Sequence, residues 1–273
     1  MSLPNDPLWP RAGDWPVADG TLADLILVGM PSAELSLSPS QANLTPNAVR
    51  EALRRYSFES PLKIMDSGQR LRVLTRLLVA IGGDNSITVP VARSRWGHGR
   101  GLSAGLVTLD AHHDLRDGHS NGSPVRELIE GGLDGRRVVQ VGIEPFANSD
   151  AYRARARDYG ITVITRAEVA RRGIDDAMAE ALEIAGSAGG PVHVDLDVDV
   201  CDRSVAPACP ASVPGGLSAM ELRTAARLAG AHPLVESIDL VEVDAAADTP
   251  DGRTVRLVAL CVLEAARGLE SRP

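Results

Sequence analysis

Asp110-Ala111-His112-His113-Asp114 closes the apolar run Val107-Thr108-Leu109 with four metal-capable side chains in five positions. On an extended backbone Asp110, His112 and Asp114, two apart, face one side. Groups crowded in that way repel or stay poorly solvated unless a cation neutralises them. Two carboxylates and an imidazole form a borderline-hard set, suited to Mn, Fe, Zn or Co rather than to calcium or a thiolate metal. His193-Val194-Asp195-Leu196-Asp197-Val198-Asp199 repeats the pattern. A solvated loop at a strand end explains one such motif; two in one chain point to a shared cation site.

The elements that must carry these residues alternate. Short apolar runs predict strands at Ala23–Gly29, Leu62–Met65, Leu78–Ile81, Leu106–Asp110, Val138–Ile143, Ile161–Ile164, Val192–Asp199 and Val235–Val243. Between them, Thr45 is read as the N-cap of a helix with Pro46 at its first position, and further helices start near Ser86 and at Pro124. Helices are also read at Tyr152–Tyr159, at Asp175–Ala188 before Gly189-Gly190, and at Thr254–Leu269. Ser218 with Glu221 forms a capping box opening the helix to Leu228. Residues 66–77 and the glycine-punctuated 97–105 read as connections. Alternation of this kind predicts an α/β fold with a mainly parallel sheet covered on both faces, and ligands bind beyond the carboxyl ends of such strands. No linker or repeat divides the 273 residues, so a single domain is expected, with residues 1–20 as an N-terminal extension.

Composition narrows the function. A formal charge of −8 argues against nucleic acid or an anionic membrane as partner. Aromatics are only 3 % of residues, so the core must be aliphatic. No apolar run approaches the roughly 20 residues that span a bilayer, and the Pro-rich start lacks a signal-peptide pattern. Cys201, Cys209 and Cys261 are an odd, scattered set, read as packing residues rather than a disulfide framework. A cytoplasmic enzyme acting on a small molecule is the expectation.

Four motifs in order carry a resemblance: Gly82-Gly83-Asp84-Asn85-Ser86, Asp110–Asp114, Asp197-Val198-Asp199 with Ala206-Pro207 and Pro214-Gly215-Gly216, and Asp239-Leu240-Val241-Glu242. Together they resemble the ureohydrolase superfamily of arginase, agmatinase and formimidoylglutamase, and are most similar to the last. The resemblance spans about Ala23 to Leu269. It implies a three-layer α/β/α arginase-like fold, an eight-stranded mainly parallel sheet, a two-manganese site, and assembly as a homo-oligomer, trimer or hexamer. Carried over, Asp110 and Asp197 would bridge the ions, and His112 and Asp199 would complete one site. Asp114 would belong to the other, where Asn85 stands in place of the family's histidine and makes that site weaker.

The paired cations would acidify a water for attack on a planar, nitrogen-bearing carbon. Glu242 resembles the carboxylate that pairs with a cationic substrate group, and Asp114 would hand a proton to the leaving nitrogen. Arg116, after the metal motif, is suited to fork onto a substrate carboxylate; the alternative is an ion pair with Asp117. Asn121 and Ser123 lie in a loop expected to face substrate. Arginases carry a histidine at Asn121's place, and His119 is a loose substitute as proton shuttle. His113 and His193 are read as structural; Asp195 either orients His112 or partners a buried polar group. The expected reaction is N-formimidoyl-L-glutamate plus water to L-glutamate and formamide, in histidine degradation. An agmatinase or guanidino-acid amidinohydrolase releasing urea is the alternative, although Arg116 would repel agmatine. A catalytically silent member of the superfamily, marked by Asn85, is the third reading.

Overall fold

Every strand pairing in the computed structural model, which describes residues 6–272, is parallel. The strands are β1 (Ala23–Met30), β2 (Ile64–Asp66), β3 (Thr75–Gly82), β4 (Gly105–Leu109), β5 (Val138–Ile143), β6 (Thr162–Thr165), β7 (Val192–Asp197) and β8 (Val235–Val241). Their order is β2-β1-β3-β8-β7-β4-β5-β6 in one eight-stranded sheet. The helices are α1 (Thr45–Leu53), α2 (Thr88–Arg100), α3 (Pro124–Glu130), α4 (Asp150–Tyr159), α5 (Arg166–Arg172), α6 (Ile174–Ala185), α7 (Ala219–Ala231) and α8 (Arg253–Glu270).

Strand pleating divides the core. Leu25 and Leu27 of β1 pack in a large aliphatic cluster with residues of α1, α6, α7 and α8. Ile26 and Val28, on the opposite face, join Val91 of α2. Leu106 and Val138 pack with Trp96 of α2, Val125 of α3 and Ala156 of α4. Three layers result, because apolar side chains on both faces of each central strand must be covered. Among the described residues, no helix is long and apolar enough to cross a membrane.

The four motif-bearing strand ends become neighbours here. β3, β8, β7 and β4 are consecutive in the sheet, so their carboxyl ends open on one crevice. Gly83 lets the first of them close in, since an added Cβ would lie 1.7 Å from the Ser32 carbonyl oxygen. Its own carbonyl accepts from Glu242 N at 2.9 Å, tying the β3 and β8 ends together.

Several local expectations need correction. Asp110, His112 and Asp114 do not share an extended strand face: β4 stops at Leu109, and Asp114 has φ 53°. Asp199 likewise lies in a 3-10 turn, Val198–Val200, beyond β7. Convergence comes from turns at adjacent strand ends, not from pleat alternation. Thr45 is inside α1 rather than capping it; its hydroxyl donates to the Val243 carbonyl and so pins α1 to the segment after β8. Helix α2 continues past Gly97 to Arg100, where a connection was expected, because burying Val91, Ala92 and Trp96 outweighs the glycine's cost in a helix. α5 was missed, although Thr165 and Glu168 form a reciprocal capping box in front of it. α6 ends at Ala185 with Gly186 as its C-cap, three residues short of Ala188. Ser218 and Glu221 cap α7 as read. Of the N-terminal extension, residues 1–5 lie outside the described residues; the rest is anchored by bridges of Arg11 to Ser57 and Val17 to Asp66.

Candidate metal centre

Asp110 leaves β4 with its N–H on the Val141 carbonyl at 3.1 Å, which aims the carboxylate into the crevice. Its Oδ1 accepts from His112 N at 2.6 Å, folding the chain back on itself. The His112 ring follows: Nδ1 lies 3.0 Å from Asp199 Oδ2 and 3.3 Å from Asp110 Oδ1. Across the crevice, Asp197 Oδ1 accepts from Asp199 N at 2.8 Å and holds the turn that delivers Asp199. One donor atom each from Asp110, His112 and Asp199 falls within 4.8 Å of the others. Asp110 Oδ2 is buried with no hydrogen-bond partner. Such an orphaned oxygen is costly unless something else satisfies it, and a cation facing two carboxylates and an imidazole does so. The residues fit a divalent metal.

The electrostatics agree. Burial, reinforced by the Asp199 charge, raises the Asp110 carboxyl to about 6. Burial pulls His112 down, but Asp199 and Asp110 outweigh it and push the ring to about 12. Burial and neighbouring carboxylates lift Asp114 and Asp197 well above the usual range. Asp199 stays low despite burial because His112 faces it. Glu242 rises to about 7 through burial, opposed by hydrogen bonds from Asn121 and the Asn85 amide.

The sign for stability follows. Groups raised in the folded state bind more protons folded than unfolded, so stability falls as pH rises through the interval from about 4 to about 7. His112, also raised, acts in the same direction. In EDTA, the melting temperature is expected to drop on the order of 5 °C between pH 5 and 8, and manganese is expected to reverse most of that loss. A melting temperature that climbs over this range in EDTA would contradict the account.

Asn85 is hydrogen-bonded on both sides of its carboxamide. Its Nδ2 donates to Asp114 Oδ2 at 2.6 Å, while its Oδ1 accepts from Thr88 Oγ1 at 2.6 Å. Thr88 Oγ1 also lies 3.0 Å from Asp239 Oδ2, and the second lone pair of Asn85 Oδ1 is left for another partner. The Asn85 backbone N–H donates to Glu242 Oε1 at 2.6 Å, and Asn121 Nδ2 donates to the same oxygen at 2.8 Å. Asp114 and Glu242 are the only non-glycine residues with positive φ among the described residues, at 53° and 63°. Strained carboxylates of this kind concentrate at functional sites.

These groups surround a cavity of about 410 Å³ lined by His112, Asp114, Asp197, Asp199 and Glu242 together with Arg116, Asn121, Asn148 and Tyr152. The Arg116 guanidinium lies over the Tyr152 ring, 5.9 Å from its centroid. It does not pair with Asp117, whose carboxylate is taken by Arg155 at 2.8 Å. His119 and Ser123 fall outside the cavity lining. Glu127, in the first turn of α3, accepts from Ser123 Oγ at 2.6 Å and lies 2.8 Å from His119 Nδ1, so it draws both away. His113 is buried against Gln140 and His193 against Ser237, as structural roles require. Asp195 sits beside Asp239 in the β7–β8 register, and both its carboxylate oxygens are buried without a hydrogen-bond partner. Tyr152 and Asn148 were missed. Their sequence signal is only that of a helix start, Ser149 capping α4.

Comparison with known proteins follows the same line. Residues 63–267 match the Arginase family. The chain belongs to the arginase family. A formimidoylglutamase of Halalkalibacterium halodurans is 33 % identical over 277 residues, covering 89 % of this chain and 86 % of its own. The crystal structure of Bacillus subtilis formimidoylglutamase superposes with TM-score 0.90 at 28 % identity, over 100 % of this chain and 96 % of that one. Trypanosoma cruzi formiminoglutamase, crystallised with Mn2+, gives TM-score 0.82 at 25 % identity, over 92 % of this chain and 95 % of that one. The arginase-family fold accounts for the parallel sheet, and the metal-capable trio lies at its carboxyl edge.

Proposed function

We propose that the chain is a manganese-dependent hydrolase converting N-formimidoyl-L-glutamate and water to L-glutamate and formamide. The observation that carries this reading is one cavity holding opposite charges beside the metal-capable trio. Glu242 and Arg116 both line the cavity. A substrate with a cationic formimino group at one end and carboxylates at the other matches that polarity. The names of the relatives support the same substrate class.

Asp110, His112 and Asp199, with Asp197, would hold manganese. When bound there, the metal supplies the Lewis acidity that makes water nucleophilic at neutral pH. Asp114, Asp197 and Asn85 would hold a second ion, more weakly because a carboxamide oxygen is a poorer donor than an imidazole. Glu242 receives the formimino N–H groups, its orientation set by the Asn85 and Asn121 donors. Asp114, kept protonatable by burial, delivers a proton to the departing glutamate nitrogen. Arg116 pairs with a glutamate carboxylate while resting on Tyr152. The crevice side of Asp114 is closed by Asn85, which keeps the carboxyl from turning away. A homo-oligomer, trimer or hexamer, in the cytoplasm completes the reading.

A manganese-supplemented product assay tests it. Formamide and glutamate in equal amounts are expected from N-formimidoyl-L-glutamate. Urea from a guanidino acid, with no formamide, would favour an amidinohydrolase instead. No turnover of either substrate would mark a silent relative.

A further inference from the structure

Asn148, between β5 and α4, takes no part in the chemistry above, yet its side chain is spent on the loop that carries the metal-capable residues. Oδ1 accepts from His113 N at 2.9 Å. Nδ2 donates to the Ala111 carbonyl at 2.8 Å and to the Glu144 carbonyl at 3.0 Å. The two loop residues it bonds stand immediately before and after His112. Because β4 ends at Leu109, the His113 N–H has no ladder partner and takes Asn148 instead, while the Ala111 carbonyl accepts from both Asn148 and the Glu144 N–H, the latter at 3.0 Å. A carboxamide offers the same donor and acceptor as a peptide group, so Asn148 acts as a piece of strand edge. Gln140 of β5 completes the bracket, with Nε2 donating to the His113 carbonyl at 2.8 Å and Oε1 lying 2.6 Å from the His113 ring.

We propose that Asn148 is a positioning residue for the cation: by fixing the peptides on both sides of His112 it sets the direction of that ring toward Asp199 and Asp110. The inference rests on the metal reading of the trio. Loss of the carboxamide leaves the His113 N–H unpartnered and the Ala111 carbonyl with the Glu144 N–H alone, and the ring then samples directions away from Asp199. Partners of this outer kind typically govern affinity by about 10–100-fold. A second consequence is mechanical. Asn148 also lines the cavity, so the metal loop and the wall that carries Tyr152 are tied at one residue.

The test uses calorimetric manganese titration and amide hydrogen exchange on the full chain. Asn148→Ala is expected to weaken manganese binding about 10–100-fold and to speed exchange of the His113 amide in metal-free protein. Asn148→Asp keeps the acceptor and loses both donors, so its His113 amide should stay slow while its affinity falls between the other two. Thr165→Ala, which removes a helix cap elsewhere, should lower stability and leave manganese affinity unchanged. Wild-type affinity or an unaltered His113 amide in Asn148→Ala overturns the proposal, as does an equal loss of affinity in Thr165→Ala. If Asp110→Asn also binds manganese like the wild type, the metal reading itself fails; if only Asn148→Ala does, this inference alone fails.

Discussion

Asp110→Asn is expected to abolish tight manganese binding and to lower kcat by about 10²–10³-fold. The substitution keeps the volume and one acceptor oxygen for the His112 amide. It removes the charge beside Asp199 and His112 and leaves a nitrogen facing the trio. Lewis-acid stabilisation of a polarised transition state is worth several kcal/mol, and each 1.36 kcal/mol is tenfold in rate. The fold should survive in EDTA, because Asp110 is a buried carboxyl already raised to about 6, and a neutral group suits that position. Calorimetry and steady-state kinetics read both effects. Wild-type affinity together with full activity would remove Asp110 from the site.

Arg116→Ala is expected to raise KM for N-formimidoyl-L-glutamate by roughly 10–100-fold with kcat changed by less than about threefold. A charge-assisted hydrogen bond contributes about 1.5–3 kcal/mol, which at 1.36 kcal/mol per decade gives this range. The loss should fall on binding because the carboxylate is remote from the bond that breaks. Among the described residues no ion pair with Asp117 competes for this guanidinium, and Tyr152 supports it from below. Arg116→Lys should recover only part of the affinity, since an ammonium lacks the planar fork. A formimino substrate without carboxylates should be indifferent to both changes. Equal KM increases for the acidic and the neutral substrate would show that Arg116 merely shapes the loop.

Residue type made the candidate metal cluster legible. Asp110, His112, Asp197 and Asp199 are acidic or imidazole groups after apolar runs, and few other arrangements explain them. Their geometry was not legible, because the turns beyond β4 and β7, not an extended backbone, bring them together. The strands were readable because eight aliphatic runs separated by helices leave little choice of sheet. Helix α5 could have been found from Thr165 and Glu168; seven residues with one buried apolar side chain gave too little periodicity to draw notice. His119 and Ser123 were placed in the site by proximity to Asn121, and nothing local announces that Glu127 will claim both. Asn148 was beyond reach for a similar reason: its partner amide is 35 positions away, across a β-strand not yet paired with anything.

The left-handed backbone at Asp114 and Glu242 has a bearing on how this chain tolerates change. Each such residue costs about 1 kcal/mol against a glycine in the same conformation. Selection for heat resistance alone would therefore push toward glycine at both positions and erase two carboxylates that line the cavity. Durability and turnover pull in opposite directions at these two positions, so a library screened only for survival at high temperature would enrich well-folded, inactive proteins.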